Sequence, residues 1–415
     1  MKLLKYLILS ASFITSLFSQ GWVVQPSGTP YNLSSVFFVN DLTGWAAGDV
    51  GTIRKTTNGG INWFAQTGSS ALSSLYFINS TTGWGSGPGG LILKTTNAGD
   101  NWLIQTSGTT AHLRAVFFVN TLKGFAAGDG GVIRYSSDGG INWSTQTSGT
   151  TETLFGISFV SETQGWISGA AGKILYTGSG GANWNSQATS TTFPFYSIMF
   201  LNSQTGWAVG YQGIIRKTTD AGGNWIAQTS NVSNWLYGVQ FINSLTGFAC
   251  GTGGTIISTQ NGGLNWATQL TPTGDNLNGL RFSSAFTGYA VGTTGRIIKS
   301  TNGGITYLSS VSNEIPEKLS LSQNYPNPFN PATTILFHIP LSRGVSEGRG
   351  VLTSLIVYDM MGREVKTLIN QYLQPGKYSI SFDGGNLASG VYFYRIIAQG
   401  EGQSFIKTMK MLLVK

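Results

Sequence analysis

The chain has 415 residues, of which 58 are glycine, 12% are aromatic and only 10% are charged, a composition that excludes disorder and suits β-structure broken by glycine turns. Its formal charge of +8 is spread without a basic block or arm, which argues against nucleic acid as a partner. The single cysteine, Cys250, excludes an intramolecular disulfide, so packing alone must hold the fold.

In chain order, residues 1–19 come first: Lys2 and Lys5, an apolar run from Tyr6 to Phe18, then Ser19. This reads as a cleaved secretory signal, with Gln20 as the mature start. No later apolar stretch is long enough to cross a bilayer as a helix, so no transmembrane segment is expected in the mature chain.

The next 290 or so residues repeat themselves. KTTNGGINW (55–63) returns at 94–102, 217–225 and 258–266, and looser copies end at Trp143, Trp184 and Tyr307. The copies are 39 residues apart once and 41 apart five times, the mark of one small supersecondary unit stacked seven times. Each unit reads as four short strands, in the first copy Leu33–Val39, Gly44–Gly48, Thr52–Thr57 and a strand starting at Asn62-Trp63. The expected fold is all-β: a seven-bladed β-propeller over 20–310, a linker over 311–318 and a small C-terminal β-sandwich over 319–415. Gly21–Gly28 (GWVVQPSG) looks like the tail of a unit, with Trp22 placed 41 residues before Trp63. It is expected to close the ring as the last strand of the seventh blade, in preference to Ile305–Ser309.

Positions shared by all seven copies serve the scaffold, because seven sites rarely need the same chemistry. Gly44, Gly48, Gly51 and Gly60 have a glycine equivalent in every copy. A large ring follows the first of them each time (Trp45, Trp84, Phe125, Trp166, Trp207, Phe248, Tyr289), as a wedge between neighbouring sheets. In the repeated phrase, Asn58, Asn97, Asp138, Ser179, Asp220, Asn261 and Asn302 hold the place where a short polar side chain accepts backbone N–H bonds across a turn. Cys250 stands where other copies have Ala47 or Val209, which predicts a buried core thiol.

The phrase resembles the Asp-box, or bacterial neuraminidase repeat, and the whole unit resembles the photosystem II stability/assembly factor family of seven-bladed propellers. That resemblance implies the fold, and a surface rich in arginine such as members use in reaction-centre assembly. Arg54, Arg134 and Arg216 lead third strands, with Lys173 and Arg296 slightly earlier in theirs, but copy six has Thr255, Ile256 and Ile257 there. The tail segments LSLSQNYPNPFNPATTILFHIP (319–340), VYDMMGREV (357–365) and KTMKMLLVK (407–415) resemble, in order, the C-terminal sorting domain of type IX secretion cargo. This implies Sec export through the periplasm, the type IX machinery as a partner of 319–415, and release or attachment at the outer cell surface. It also implies a Bacteroidota-like lineage, in which a photosystem client is out of place.

Chemistry-bearing residues are sparse. His112 is the propeller's single histidine, so no metal cluster, triad or cofactor is expected. A glycosidase needs two facing carboxylates; Asp138 and Asp220 sit in turns, and Glu152 is the one glutamate without a local role. A surface glycoside hydrolase of sialidase type therefore stands as the alternative to a non-catalytic binding or scaffold propeller. Recognition should lie where copies differ. After the leading Leu or Phe of the first strand come Ser34, Ser73, Arg114, Phe155, Tyr196, Tyr237 and Asn278, expected around one mouth of the central channel. With Trp235 from a nearby loop, Arg114, Phe155, Tyr196 and Tyr237 form a candidate rim for an unidentified glycan or protein ligand. The competing reading is that these rings only plug the channel.

Overall fold

The computed structural model describes residues 21–415 except 68–69, 270, 285–286, 302–308, 313–315, 317, 341–350, 374–375, 386 and 401–402. The expected signal segment 1–19, and Asn302 and Tyr307 of the seventh copy, therefore lie outside the described residues. Among those described, no helix is long and apolar enough to cross a membrane.

Residues from Val23 to Ser300 form seven antiparallel four-stranded sheets, the blades of a propeller. The first blade is Leu33–Phe38, Gly44–Gly48, Ile53–Thr56 and Phe64–Ala65, and the others repeat it. The second strand of every blade is buried along its whole length, which is why it carries only glycine, small residues, aliphatics and one ring. Cys250 lies on such a strand, where burial pushes its thiol up to about 12 and removes it from thiolate chemistry.

One interaction repeats at every blade boundary. The wedge ring of one blade stacks on the phenylalanine that ends the first strand of the next: Trp45 on Phe77, Trp84 on Phe118, Phe125 on Phe159, Trp166 on Phe200, Trp207 on Phe241, Phe248 on Phe282 and Tyr289 on Phe38. Ring centres are 3.5–4.3 Å apart at interplanar angles of 6–22°. The phenylalanine has a floor as well, because Phe38 pairs directly with Gly44 across its own blade. A Cβ on Gly44 would stand 2.5 Å from the Phe38 ring, so glycine is required there for close approach. The last pair, Tyr289 on Phe38, joins the seventh blade to the first and closes the ring.

A tryptophan meets each phenylalanine edge-on at 5.8–6.0 Å: Trp63, Trp102, Trp143, Trp184, Trp225 and Trp266 in blades one to six. In the seventh blade that partner is Trp22, 5.9 Å from Phe282 at 83°. Its indole N–H donates to Gln269 at 3.0 Å, as Trp225 does to Gln187 and Trp266 to Gln228. The adjoining strand Val23–Gln25 pairs antiparallel with Ile297–Ser300, opposite Lys299, Ile298 and Ile297. The N-terminal segment thus supplies the seventh blade's outer strand, where ring closure requires it.

The C-terminal unit, described by itself, is a sandwich of two four-stranded sheets. One contains Ser309–Ser312, Gly376–Asp383, Ala332–Ile339 and Ser320–Leu321; the other contains Glu364–Leu373, Val351–Tyr358, Gly390–Gly400 and Gln403–Leu413. Ile335, Phe337 and Ile339 alternate inward to meet Leu355, Val357, Tyr394, Ile396 and Met411 in one core. The first of these strands spans the expected boundary at 310 and enters the expected linker 311–318, with Ser309 and Ser310 pairing with Ser379 and Tyr378. The segment SSVS has one apolar residue, too little alternation to read as a strand. The proline-rich loop is tied to the chain's end: Phe329 is buried and its N–H donates to Leu412 O at 2.9 Å, while Leu412 N–H donates to Asn327 Oδ1 at 2.9 Å.

Trp22→Ala should destabilise the propeller as much as Trp143→Ala, by about 3–5 kcal/mol each, because the two indoles fill equivalent sites. Urea unfolding followed by fluorescence measures this. A Trp22→Ala protein that unfolds with the parent would contradict closure by the N-terminal strand.

Candidate functional site: the channel mouth

The first strand of six blades contains a β-bulge immediately after its leading residue. Pairing jumps from Leu33 to Ser35, Leu113 to Ala115, Leu154 to Gly156, Phe195 to Ser197, Leu236 to Gly238 and Leu277 to Gly279. The residues skipped are Ser34, Arg114, Phe155, Tyr196, Tyr237 and Asn278. A bulge residue leaves the ladder, bends the strand and turns its side chain to a new direction. All six, with Ser73 of the second blade, line a cavity of about 220 Å³ at the centre of the ring. The columns that vary between copies are therefore brought together at one mouth.

That mouth is lopsided. Its aromatic arc runs through the fourth, fifth and sixth blades: Phe155 lies 5.3 Å from Tyr196, which lies 5.4 Å from Tyr237 and 6.1 Å from Trp235. The arc extends outward through two residues that the sequence reasoning missed, with Tyr211 4.9 Å from Trp235 and Phe193 5.4 Å from Tyr211. Trp235 is 39% exposed and Phe193 44%, so both rings are partly open to solvent. A signal for both was present: Tyr211 and Phe193 occupy columns in which the other copies hold no aromatic except Tyr31. Burial raises the Tyr196 and Tyr237 phenols above their ordinary range, so both stay protonated and able to donate.

The rest of the mouth is polar. Ser34, Ser73 and Asn278 line it, and Asn278 Nδ2 donates to Leu33 O at 2.9 Å across the closure. Ser73 Oγ lies 2.7 Å from His112 Nε2. Arg114, the one charged residue in the lining, donates through Nε at 2.8 Å and Nη2 at 3.1 Å to the two oxygens of Asp129, and its guanidinium carbon lies 5.9 Å from the Phe155 ring. That hydrogen-bonded cation holds the Asp129 carboxyl below its usual range.

The third-strand arginines lie elsewhere and are bonded to backbone. Arg54 donates to Gly28 O at 2.6 Å, Arg134 to Gly108 O, and Arg216 to Thr189 O at 3.1 Å. Each thereby ties one blade to the loop leaving the previous blade's outer strand. The acidic residues are similarly occupied: Asp41 accepts from Ser283, Asp49 from Asn32, Glu162 from Asn120, Asp100 pairs with Lys55, and Asp275 with Arg296. Glu152 sits three residues before Phe155, and no carboxylate belongs to the channel lining among the described residues.

In the repeated turns, the hydroxyl of Thr56 donates to Asn58 Oδ1 at 3.0 Å and accepts the Gly60 N–H at 2.9 Å, while Asn58 Oδ1 accepts the Asn62 N–H at 3.0 Å. Gly60 holds the turn at φ +84°. The same bonds recur at Asn97, Asp138, Ser179, Asp220 and Asn261.

Comparison with known proteins agrees with this architecture. Residues 138–229 match the family model described as photosynthesis system II assembly factor YCF48, and residues 323–411 match the secretion system C-terminal sorting domain. A search of curated proteins returns no match. Among solved structures, YCF48 from Cyanidioschyzon merolae superposes with a TM-score of 0.57 at 19% identity, covering 67% of this chain and 98% of that one. YCF48 bound to D1 peptide gives 0.59 at 18% identity, covering 69% and 99%. The WD40 β-propeller domain of Doa1 gives 0.56 at 12% identity, covering 67% and 96%. At these identities the superpositions establish the fold. The chain is thus a seven-bladed propeller of repeated turns followed by a β-sandwich. More particularly, residues 138–229 resemble the YCF48 family and residues 323–411 a type IX C-terminal sorting domain, a tail that supports secretion or attachment at the outer surface.

Two of the turns carry a charge that should be visible in acid. Backbone and side-chain N–H groups of Asn142 and Asn224 hold Asp138 and Asp220 at about 2, against 3.8 for a free side chain. The unfolded chain therefore binds these protons first, so the stabilisation is present above the unfolded value and is lost as pH falls through about 2. A variant with Asp138→Asn and Asp220→Asn should lose stability less steeply than the parent between about pH 4 and pH 2. Parallel curves of urea midpoint against pH would contradict this.

Proposed function

We propose that the mature chain is a secreted or surface-attached, non-catalytic propeller that holds a ligand at the channel mouth. The observation that carries the reading is the convergence of the varying bulge residues, with an arc of partly exposed rings, on one mouth of an otherwise repetitive ring. Functional side chains on a rigid scaffold keep their geometry without an ordering cost at binding. The occupied carboxylates favour binding over a glycosidase, whose chemistry needs two facing acids. A YCF48 structure carries a D1 peptide, so a propeller of this fold can serve as a binding module. Here Arg54, Arg134 and Arg216 are spent on blade-to-blade bonds, which shifts the reading from an arginine surface to the aromatic mouth. In this reading residues 1–19 direct Sec export and are removed, and 319–415 engage the type IX machinery after passage through the periplasm.

On arrays of peptides and glycans, the chain should retain a ligand that a Tyr196→Ala, Trp235→Ala, Tyr237→Ala variant binds more than about tenfold more weakly, with the melting temperature kept. Equal retention by parent and variant would refute the mouth as the binding site. In a type IX-competent host, removing 319–415 should leave a folded propeller in the periplasm, as fractionation with immunoblotting would report. Surface display of the shortened chain would refute the proposed route.

A further inference from the structure

We infer that the ligand of this mouth is a neutral saccharide chain laid along Tyr196, Trp235, Tyr211 and Phe193, an assignment that rests on the mouth being the binding site. The ring path and its polar border together select this chemistry. Successive ring centres along it are 6.1, 4.9 and 5.4 Å apart at interplanar angles of 30, 44 and 55°, so the rings form one continuous stepped surface, of which Trp235 and Phe193 are exposed to solvent. A pyranose presents a face of C–H bonds that packs on such a ring, and an edge of hydroxyls that needs donors and acceptors beside it. The Tyr196 and Tyr237 hydroxyls supply these beside the rings, with Ser34 across the channel.

The charge pattern points the same way. Arg114 already bonds both oxygens of Asp129 through Nε and Nη2, and Arg296 of the seventh blade donates to Asp275 at 2.7 Å. The Asp129 carboxylate offsets the charge of Arg114, the one charged residue of the lining, and repels an acidic peptide or an acidic sugar, so an anion gains little net attraction there. A purely apolar partner would cover the Tyr196 and Tyr237 hydroxyls without bonding them, which is also costly. A neutral polyol with apolar faces satisfies both halves of the mouth. The rings come from a bulge, a turn and two inter-blade loops of adjacent blades, so the platform is built by the rigid ring beneath it.

The test titrates the full mature chain with neutral hexasaccharides (β-glucan, xylan and mannan series), with uronate and sialylated oligosaccharides, and with acidic peptides, at low and high sodium chloride. The expected result is quenching of tryptophan fluorescence by at least one neutral hexasaccharide, with a Kd that changes less than about twofold between the salt conditions. Phe193→Ala and Trp235→Ala, both at exposed side chains, should each weaken that binding about tenfold while leaving the melting temperature unchanged. No binding of any neutral series, or binding confined to charged ligands and steeply weakened by salt, would overturn the saccharide assignment. A peptide bound through these rings would overturn the assignment and leave the mouth as the binding site. A saccharide bound equally by both ring variants would overturn the two together.

Discussion

Seven stacked ring pairs hold this molecule together. At each blade boundary a phenylalanine lies between its neighbour's wedge ring on one side and its own blade's glycine on the other, with a tryptophan against its edge. The arrangement fixes spacing between blades, because the glycine sets how deep the phenylalanine can sit and the wedge ring sets how close the next sheet can come. It also explains how a propeller with one buried cysteine dispenses with disulfides. Each boundary buries three large rings, and large rings contribute most to core and interface packing. The seventh boundary takes its edge-on ring from Trp22, so the start of the folded chain is bound into its last blade. Closing the ring this way covers the two sheet faces that an open row of seven blades would leave exposed.

Because the stacks use the far end of each first strand, the near end is released for other work. There the bulge takes one residue out of the ladder, and that residue is free to vary without disturbing the wedge. The same position is serine in the first two blades, arginine in the third, aromatic in the next three and asparagine in the seventh. Variable and scaffold positions are thus separated along a single strand. The arginines of the third strands belong to the scaffold side of that division, since each crosses to the preceding blade's exit loop and bonds a carbonyl there.

Much of this was legible in the sequence because repetition supplies its own comparison. The wedge rings, the glycines and the turn residues stand in fixed columns, and Trp22 falls into the tryptophan column by spacing alone. The bulge left a fainter trace. Leu33, Val36 and Phe38 all face inward, and the three-residue step from Leu33 to Val36 breaks the alternation of a regular strand. Tyr211 and Phe193 were not legible as part of the mouth because they come from a turn and a loop whose meeting depends on the tertiary fold. The carbonyl partners of Arg54 and Arg216, 26 and 27 residues away, were hidden for the same reason. The strand Ser309–Ser312 escaped notice because serine carries neither a hydrophobic pattern nor a strand preference.

The claim on which everything else depends is that all seven boundaries are equivalent, the closing one included. Amide hydrogen exchange across the seven second strands, Gly44–Gly48 through Gly288–Gly292, measures this directly, because exchange reports the local free energy of opening. Equivalent stacks predict comparable protection in all seven, with Gly288–Gly292 no weaker than the strands opposite it in the ring. Rapid exchange confined to the seventh blade would show an open ring and contradict the account.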